Sequence, residues 1–241
     1  MATLVSANQP NNSFMKGIIA GIGIAIGYTP AAITFGLLAK STGLGFTETV
    51  AMSMFVFAGA AQYMALNLIA IGTGALEIIF TTFIVNIRHL LMSAAVSEKV
   101  EDEHPIKKAL YSFGITDEVF AVTTTQEGTV KTGFIVGVAS IAYGSWVINS
   151  ALGYLVGSIL PETLQQSMAI ALYAMFIALL MPSLKKHRKV VSLAVFAAIL
   201  NLILSQFIPS GWAIILATLT SCIVIELIVG KAEGVSNSNG D

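Results

Sequence analysis

Of the chain's 241 residues, 56% are hydrophobic and 10% charged. An ordinary soluble domain has about 25% charged residues, so the bilayer rather than water is the main solvent here. A formal net charge of −1, with no basic domain, excludes nucleic-acid binding. One cysteine, Cys222, excludes an intrachain disulfide, and no Cys or His cluster has metal-site spacing, so neither a metal nor another cofactor is expected.

Stretches free of Asp, Glu, Lys and Arg run over 17–39, 49–76, 132–161, 163–184 and 190–225. Each is long enough for a helical crossing, which needs about 20 apolar residues. Lipid satisfies no backbone N–H or C=O, so the alternatives are helices or a closed barrel, and the alternating strands of about 10 residues that a barrel needs are absent. Taken in chain order, the predicted spans are 17–40, 47–72, 76–97, 131–157, 164–183, 190–207 and 212–229, the last two separated by the turn signal Pro209-Ser210-Gly211. Residues 17–32 also read as the apolar core of a signal peptide ending at Ala31-Ala32. The apolar run continues through Phe35-Gly36-Leu37-Leu38 and no positive charge precedes Lys16, so a retained first helix is expected. Crossing at 108–127 would put Asp117 and Glu118 near the membrane centre at about 2.5 to 3.5 kcal/mol for the Asp, which favours a re-entrant or interfacial segment there. The tails, 1–14 and 231–241, are predicted to be disordered around one transmembrane domain, 15–230. The fold class is therefore all-α: a polytopic integral membrane helix bundle of about seven spans, or eight if 108–127 crosses, with some helices discontinuous.

Lys and Arg collect in cytoplasmic loops. Seven spans with the N-terminus outside and the C-terminus inside leave ten of the 12 Lys and Arg in the cytoplasm, only Lys16 outside and Arg88 in the membrane. Eight spans give seven against four, so the seven-span topology is preferred.

Polar interruptions mark the candidate transport path. Gly17/Gly21 and Gly23/Gly27/Ala31 repeat at four-residue spacing ahead of Pro30. They serve either close helix packing or a helix broken at mid-membrane that presents free backbone groups to a ligand. Phe57-Ala58-Gly59-Ala60-Ala61-Gln62 leaves backbone exposed beside an amide, again for packing or for a polar solute. Thr82, Asn86, His89, Ser93 and Ser97 form one polar stripe, with Arg88 roughly 140° to 160° away on another face. Arg88, an intramembrane arginine, is either a functional group or a structural one, paired with Glu77, Asp117 or Glu118 or in contact with a second subunit. His89 is the sole histidine within a span and a candidate proton carrier. In Thr116-Asp117-Glu118, Thr116 caps a helix whose N-terminus the acids favour, or the carboxylates hold an ammonium group or exchange a proton. Glu226, near a helix end, needs no role beyond contact with water.

In this order, Gly27-Tyr28-Thr29-Pro30 with Phe35-Gly36, Phe57 to Gln62, Asn86-Ile87-Arg88-His89-Leu90-Leu91-Met92-Ser93 and Thr116-Asp117-Glu118 resemble the AzlC family. Its members, also called BrnF or YgaZ, are large subunits of bacterial branched-chain amino acid exporters. The similarity covers most of 15–230 and is loosest at Gly144-Ser145-Trp146-Val147-Ile148-Asn149. The resemblance implies export of leucine, isoleucine, valine or methionine across the bacterial cytoplasmic (inner) membrane, driven by the proton motive force, with a small membrane subunit of the AzlD or BrnE type. On this reading Gly27, Pro30, Gln62, Asn86, Arg88, His89, Asp117 and Glu118 line the path for substrate and coupling protons. The alternatives are a non-transporting scaffold or channel subunit, or a carrier of another small amphiphile. A membrane-embedded enzyme would need a richer cluster than the Arg88-His89 and Asp117-Glu118 pairs.

Overall fold

The computed structural model describes residues 12–101, 104–156 and 188–238, with isolated positions between 159 and 185. Among them the only regular elements are helices: α1 Ser13–Ser41, α2 Phe46–Phe55, α3 Gly59–Ala70, α4 Ala75–Ser97, α5 Pro105–Phe113, α6 Asp117–Thr124, α7 Thr132–Val156, α8 Arg188–Leu204 and α9 Ser210–Ser238. Four are long and apolar enough to cross a membrane: α1, α4, α7 and, over Gly211–Ile228, α9. The span predicted at 164–183 lies, isolated positions aside, outside the described residues, as do residues 1–11 and 239–241 of the predicted tails. Beyond residue 230, where the sequence predicts a tail, α9 continues to Ser238. The chain divides into two compact units, one from 1–66 and 85–175, the other from 67–84 and 176–241.

The first unit is built on α1 and α7, which pack in parallel. A methyl group on Gly17 would strike the backbone of Phe134, one on Gly36 that of Ser150, and one on Gly153 that of Ile33, so positions advance together along both helices. Gly17, Gly21 and Gly36 are thus a packing seam, where only hydrogen lets the backbones approach. Gly23 and Gly27 face open space. Pro30 does not break the helix: α1 runs unbroken through it, with the Thr29 hydroxyl donating to Ala25 O at 3.0 Å and the Thr34 hydroxyl to Pro30 O at 2.9 Å. Such back-bonding side chains are one way membrane helices tolerate proline.

The break falls instead in the segment predicted as one span over 47–72, which divides into α2 and α3 at Val56–Ala58. α2 starts near the far end of α7, where the Tyr154 hydroxyl donates to Leu44 O at 3.1 Å and Phe46 meets the Tyr154 ring. It descends until Tyr143 donates to Met54 O at 3.1 Å. α3 returns, its Gly59 against Trp146 and the Tyr63 hydroxyl donating to Ala31 O at 2.7 Å. The pair is a helical hairpin.

α5 and α6 form a second hairpin from the end where α1 and α7 begin, over the segment 108–127 that the sequence reads as re-entrant or interfacial. Val100 bridges Val130 at the start of α7, Gly114 packs on Ala139, Glu118 reaches Tyr28 halfway along α1, and Thr124 is back beside Lys99. Over 85–97, α4 runs from the level of this hairpin's tip to the face where α1 and α7 begin. The seven-span topology, which orients 17–40 and 131–157 oppositely, is therefore corrected. Composition cannot tell two half-length helices of 10 and 12 residues from one full crossing.

In the second unit α8 and α9 pair as antiparallel neighbours after the turn at Pro209, and Lys189 Nζ lies 2.7 Å from Glu226 Oε2. Glu226 reaches solvent, as expected, its side chain 68% exposed, and pairs there with Lys189. Glu77 Oε1 accepts from Gly211 N at 3.0 Å, placing a carboxylate on the positive N-terminus of α9 rather than on Arg88.

Candidate functional site

The tips of the two hairpins converge within the first unit. Tyr143 on α7 stacks edge-on against Phe57 from one tip, with ring centroids 5.2 Å apart, and against Phe113 from the other, 6.0 Å apart. Tyr28 on α1 meets Phe57 at 6.4 Å and Trp146 at 5.2 Å, and its hydroxyl lies 2.5 Å from Glu118 Oε2 and 2.8 Å from Thr116 Oγ1. The two tips are thus tied to a pair of tyrosines and a tryptophan about halfway along α1 and α7.

The α5–α6 tip carries the charge. Thr116 is the N-cap of α6, its oxygen accepting from Val119 N at 3.4 Å, which leaves Asp117 and Glu118 in the first turn as the capping reading predicts. Asp117 Oδ2 lies 2.9 Å from Arg88 Nη1, with the two side chains 26% and 35% exposed. His89 Nδ1 is 2.9 Å from Ile115 O. A carbonyl only accepts, so Nδ1 holds the hydrogen and Nε2 of the neutral ring presents a lone pair. The two faces of α4 that the helical wheel separates are therefore served by neighbouring residues of one tip. Within this cluster Asn86 Oδ1, Arg88 Nε and His89 Nε2 are buried and have no hydrogen-bond partner among the described residues. Two acceptors and one donor are thus left beside an ion pair, a complement to a zwitterion. Elsewhere on the stripe, Thr82 and Ser97 donate to carbonyls of their own helix and need no ligand.

Gln62 is different. It is fully buried, with its Oε1 accepting from Trp146 Nε1 at 2.8 Å and its Nε2 donating to Ser53 Oγ at 3.2 Å. Its amide ties both arms of the α2–α3 hairpin to α7. Of the residues singled out in the sequence, Arg88, His89, Asp117 and Glu118 meet at or beside the α5–α6 tip, and Asn86 lies on α4 one turn from His89 with its Oδ1 buried and unpartnered. Gln62 is committed to packing, Gly27 faces open space, and Pro30 lies in unbroken helix. Tyr28, Trp146 and Tyr143 were not singled out as site residues. A tyrosine hydroxyl inside an apolar helix, which needs a partner when buried, is the signal that marks Tyr28.

Fold and site together define a helical membrane protein with four helices long and apolar enough to cross a membrane and two helical hairpins whose tips meet. The sequence model of the family described as AzlC protein matches residues 23–160, and the chain belongs to this family. An uncharacterized membrane protein of Archaeoglobus fulgidus is 34% identical over 174 residues, 71% of this chain and 76% of that protein. The inner membrane protein YgaZ of Escherichia coli is 29% identical over 197 residues, 78% and 79% of the two chains. The branched-chain amino acid transport protein AzlC of Bacillus subtilis is 28% identical over 221 residues, 88% and 85% of the two chains. No solved structure matches the chain.

Proposed function

We propose that the chain is the large subunit of a secondary transporter that exports leucine, isoleucine, valine and methionine, with the proton motive force as its drive and a small AzlD-type subunit as its partner. The likeness to the Bacillus subtilis branched-chain amino acid transport protein supports the substrate class. The single observation that carries the reading is the cluster of unpaired polar atoms around the Arg88–Asp117 ion pair at the meeting point of two hairpin tips. An α-amino acid brings an ammonium group to Asn86 Oδ1, His89 Nε2 and Asp117. Its carboxylate goes to Arg88 or to the backbone N–H groups that the first turn of α3 leaves without an intrahelical partner. The aliphatic side chain sits among the aromatic rings of the tips.

The same reading sets the sidedness of the first unit. Lys16, Lys99, Lys107, Lys108 and Lys131 belong to the face where α1 and α7 begin, and Lys40 to the other, beside Tyr154. By the charge rule the lysine-rich face is cytoplasmic. The N-terminus is then inside, the reverse of the orientation expected when 47–72 counts as a crossing.

Efflux of labelled leucine and methionine from cells carrying the chain, with and without its small partner, tests the substrate class. The reading requires leucine efflux that needs both chains or is raised by the second. No efflux in either case assigns the protein another solute.

A further inference from the structure

We infer that Glu118, held by Tyr28, is the site where the coupling proton binds, and that neither Asp117 nor His89 is. The inference rests on the transport reading above and names its coupling residue.

Each ionisable group of the tip has a different set of partners. Asp117 Oδ2 is engaged by the guanidinium of Arg88 at 2.9 Å, in an ion pair. His89 donates to Ile115 O and sits next to the fixed charge of Arg88, so a second positive charge there is opposed by the first. Glu118 alone is met by a hydroxyl group, that of Tyr28 on α1, which also reaches Thr116 Oγ1 at the N-cap of α6. The other charged groups nearby are Asp117, on its own helix, and Arg88, which reaches Asp117 from α4. α7, which also packs on α6, contains no Asp, Glu, Lys, Arg or His.

The geometry accommodates both protonation states without moving a heavy atom. Tyr28 has one hydroxyl hydrogen and two oxygen neighbours, at 2.5 and 2.8 Å. With Glu118 ionised, Tyr28 donates to Glu118 Oε2 and the Thr116 hydroxyl donates to the Tyr28 oxygen. With Glu118 protonated, its O–H donates to the Tyr28 oxygen and Tyr28 donates to Thr116 Oγ1. One proton is gained from water at one face and released to water at the other, with no other bond made or broken. The Tyr28 ring is fixed by Phe57 of the α2–α3 tip and by Trp146, so the proton site lies where both hairpins meet and senses either one moving.

The test uses the chain with its small subunit in proteoliposomes and two readouts: leucine counterflow at equal pH, and leucine accumulation across a gradient of about one pH unit, which drives about tenfold accumulation per coupled proton. Glu118→Gln is expected to keep counterflow and to lose the gradient-driven accumulation, its concentration ratio falling to unity. Tyr28→Phe, which removes only the hydroxyl, is expected to keep both activities and to shift the pH midpoint of the driven one. A gradient response preserved in Glu118→Gln overturns the inference. So does loss of counterflow and driven transport together in a variant that remains monodisperse, since Glu118 then serves substrate or fold. Should Glu118→Gln fail to assemble, an unaltered pH profile in Tyr28→Phe overturns it. Absence of counterflow in the unaltered protein defeats the transport reading instead, and the inference with it.

Discussion

Trp146 and Gln62 show how a polar side chain in an apolar interior is spent on structure. The indole N–H and both ends of the amide are satisfied by one another and by Ser53, all of them buried. Removing one member strands the others without water to replace it. Gln62→Ala is therefore expected to destabilise the purified protein by about 1 to 3 kcal/mol, seen as a lower thermal unfolding midpoint in detergent. Ser53→Ala, which leaves only one amide N–H unpaired, is expected at the low end of that range. Arg88 and Asp117 are a different case, because Arg88 keeps an unpaired Nε after meeting its partner. In the sequence these two kinds of polar residue look the same. A glutamine in a small-residue run and an arginine in an apolar helix both read as candidates for the path, and only the hydrogen-bond partners separate them.

At the scale of elements, periodicity and capping were legible and direction was not. The helix α4 that carries the polar stripe, the Thr116 cap and the turn at Pro209 all follow from local residue chemistry, and the structure bears each out. The break at Val56–Ala58 did not, because the residues on both sides of it are as apolar as a full crossing requires. Pro30 carried the stronger breaking signal, yet α1 runs unbroken through it, as proline is tolerated in membrane helices packed against neighbours. The consequence is testable by sidedness. In a Cys222→Ser background, a membrane-impermeant maleimide is expected to label Thr47→Cys, at the start of α2, from the outer face alone and Glu101→Cys, before α5, from the cytoplasmic face alone. Labelling of both from the same face would restore 47–72 as a complete crossing.

For the molecule as a transporter, the first unit contains what the chemistry asks for. Two parallel spanning helices are locked by a glycine seam, two hairpins enter from opposite faces, and the charged tip of one meets the aromatic tip of the other. Discontinuous helices that end at mid-membrane are where secondary transporters place substrate and coupling-ion sites. The family was legible in the sequence from the order of its motifs, whereas the joining of Tyr28 to Glu118 across 90 residues of chain was not, since nothing in local spacing brings the two together. The most direct measurement of the central claim is leucine counterflow by the chain with its small partner in proteoliposomes, comparing the unaltered protein with Asp117→Asn. The account predicts exchange of labelled for unlabelled leucine at equal concentrations in the former and at least about a tenfold loss in the latter, the equivalent of one lost charge-assisted contact. Equal exchange by both, at equal amounts of folded protein, would contradict it.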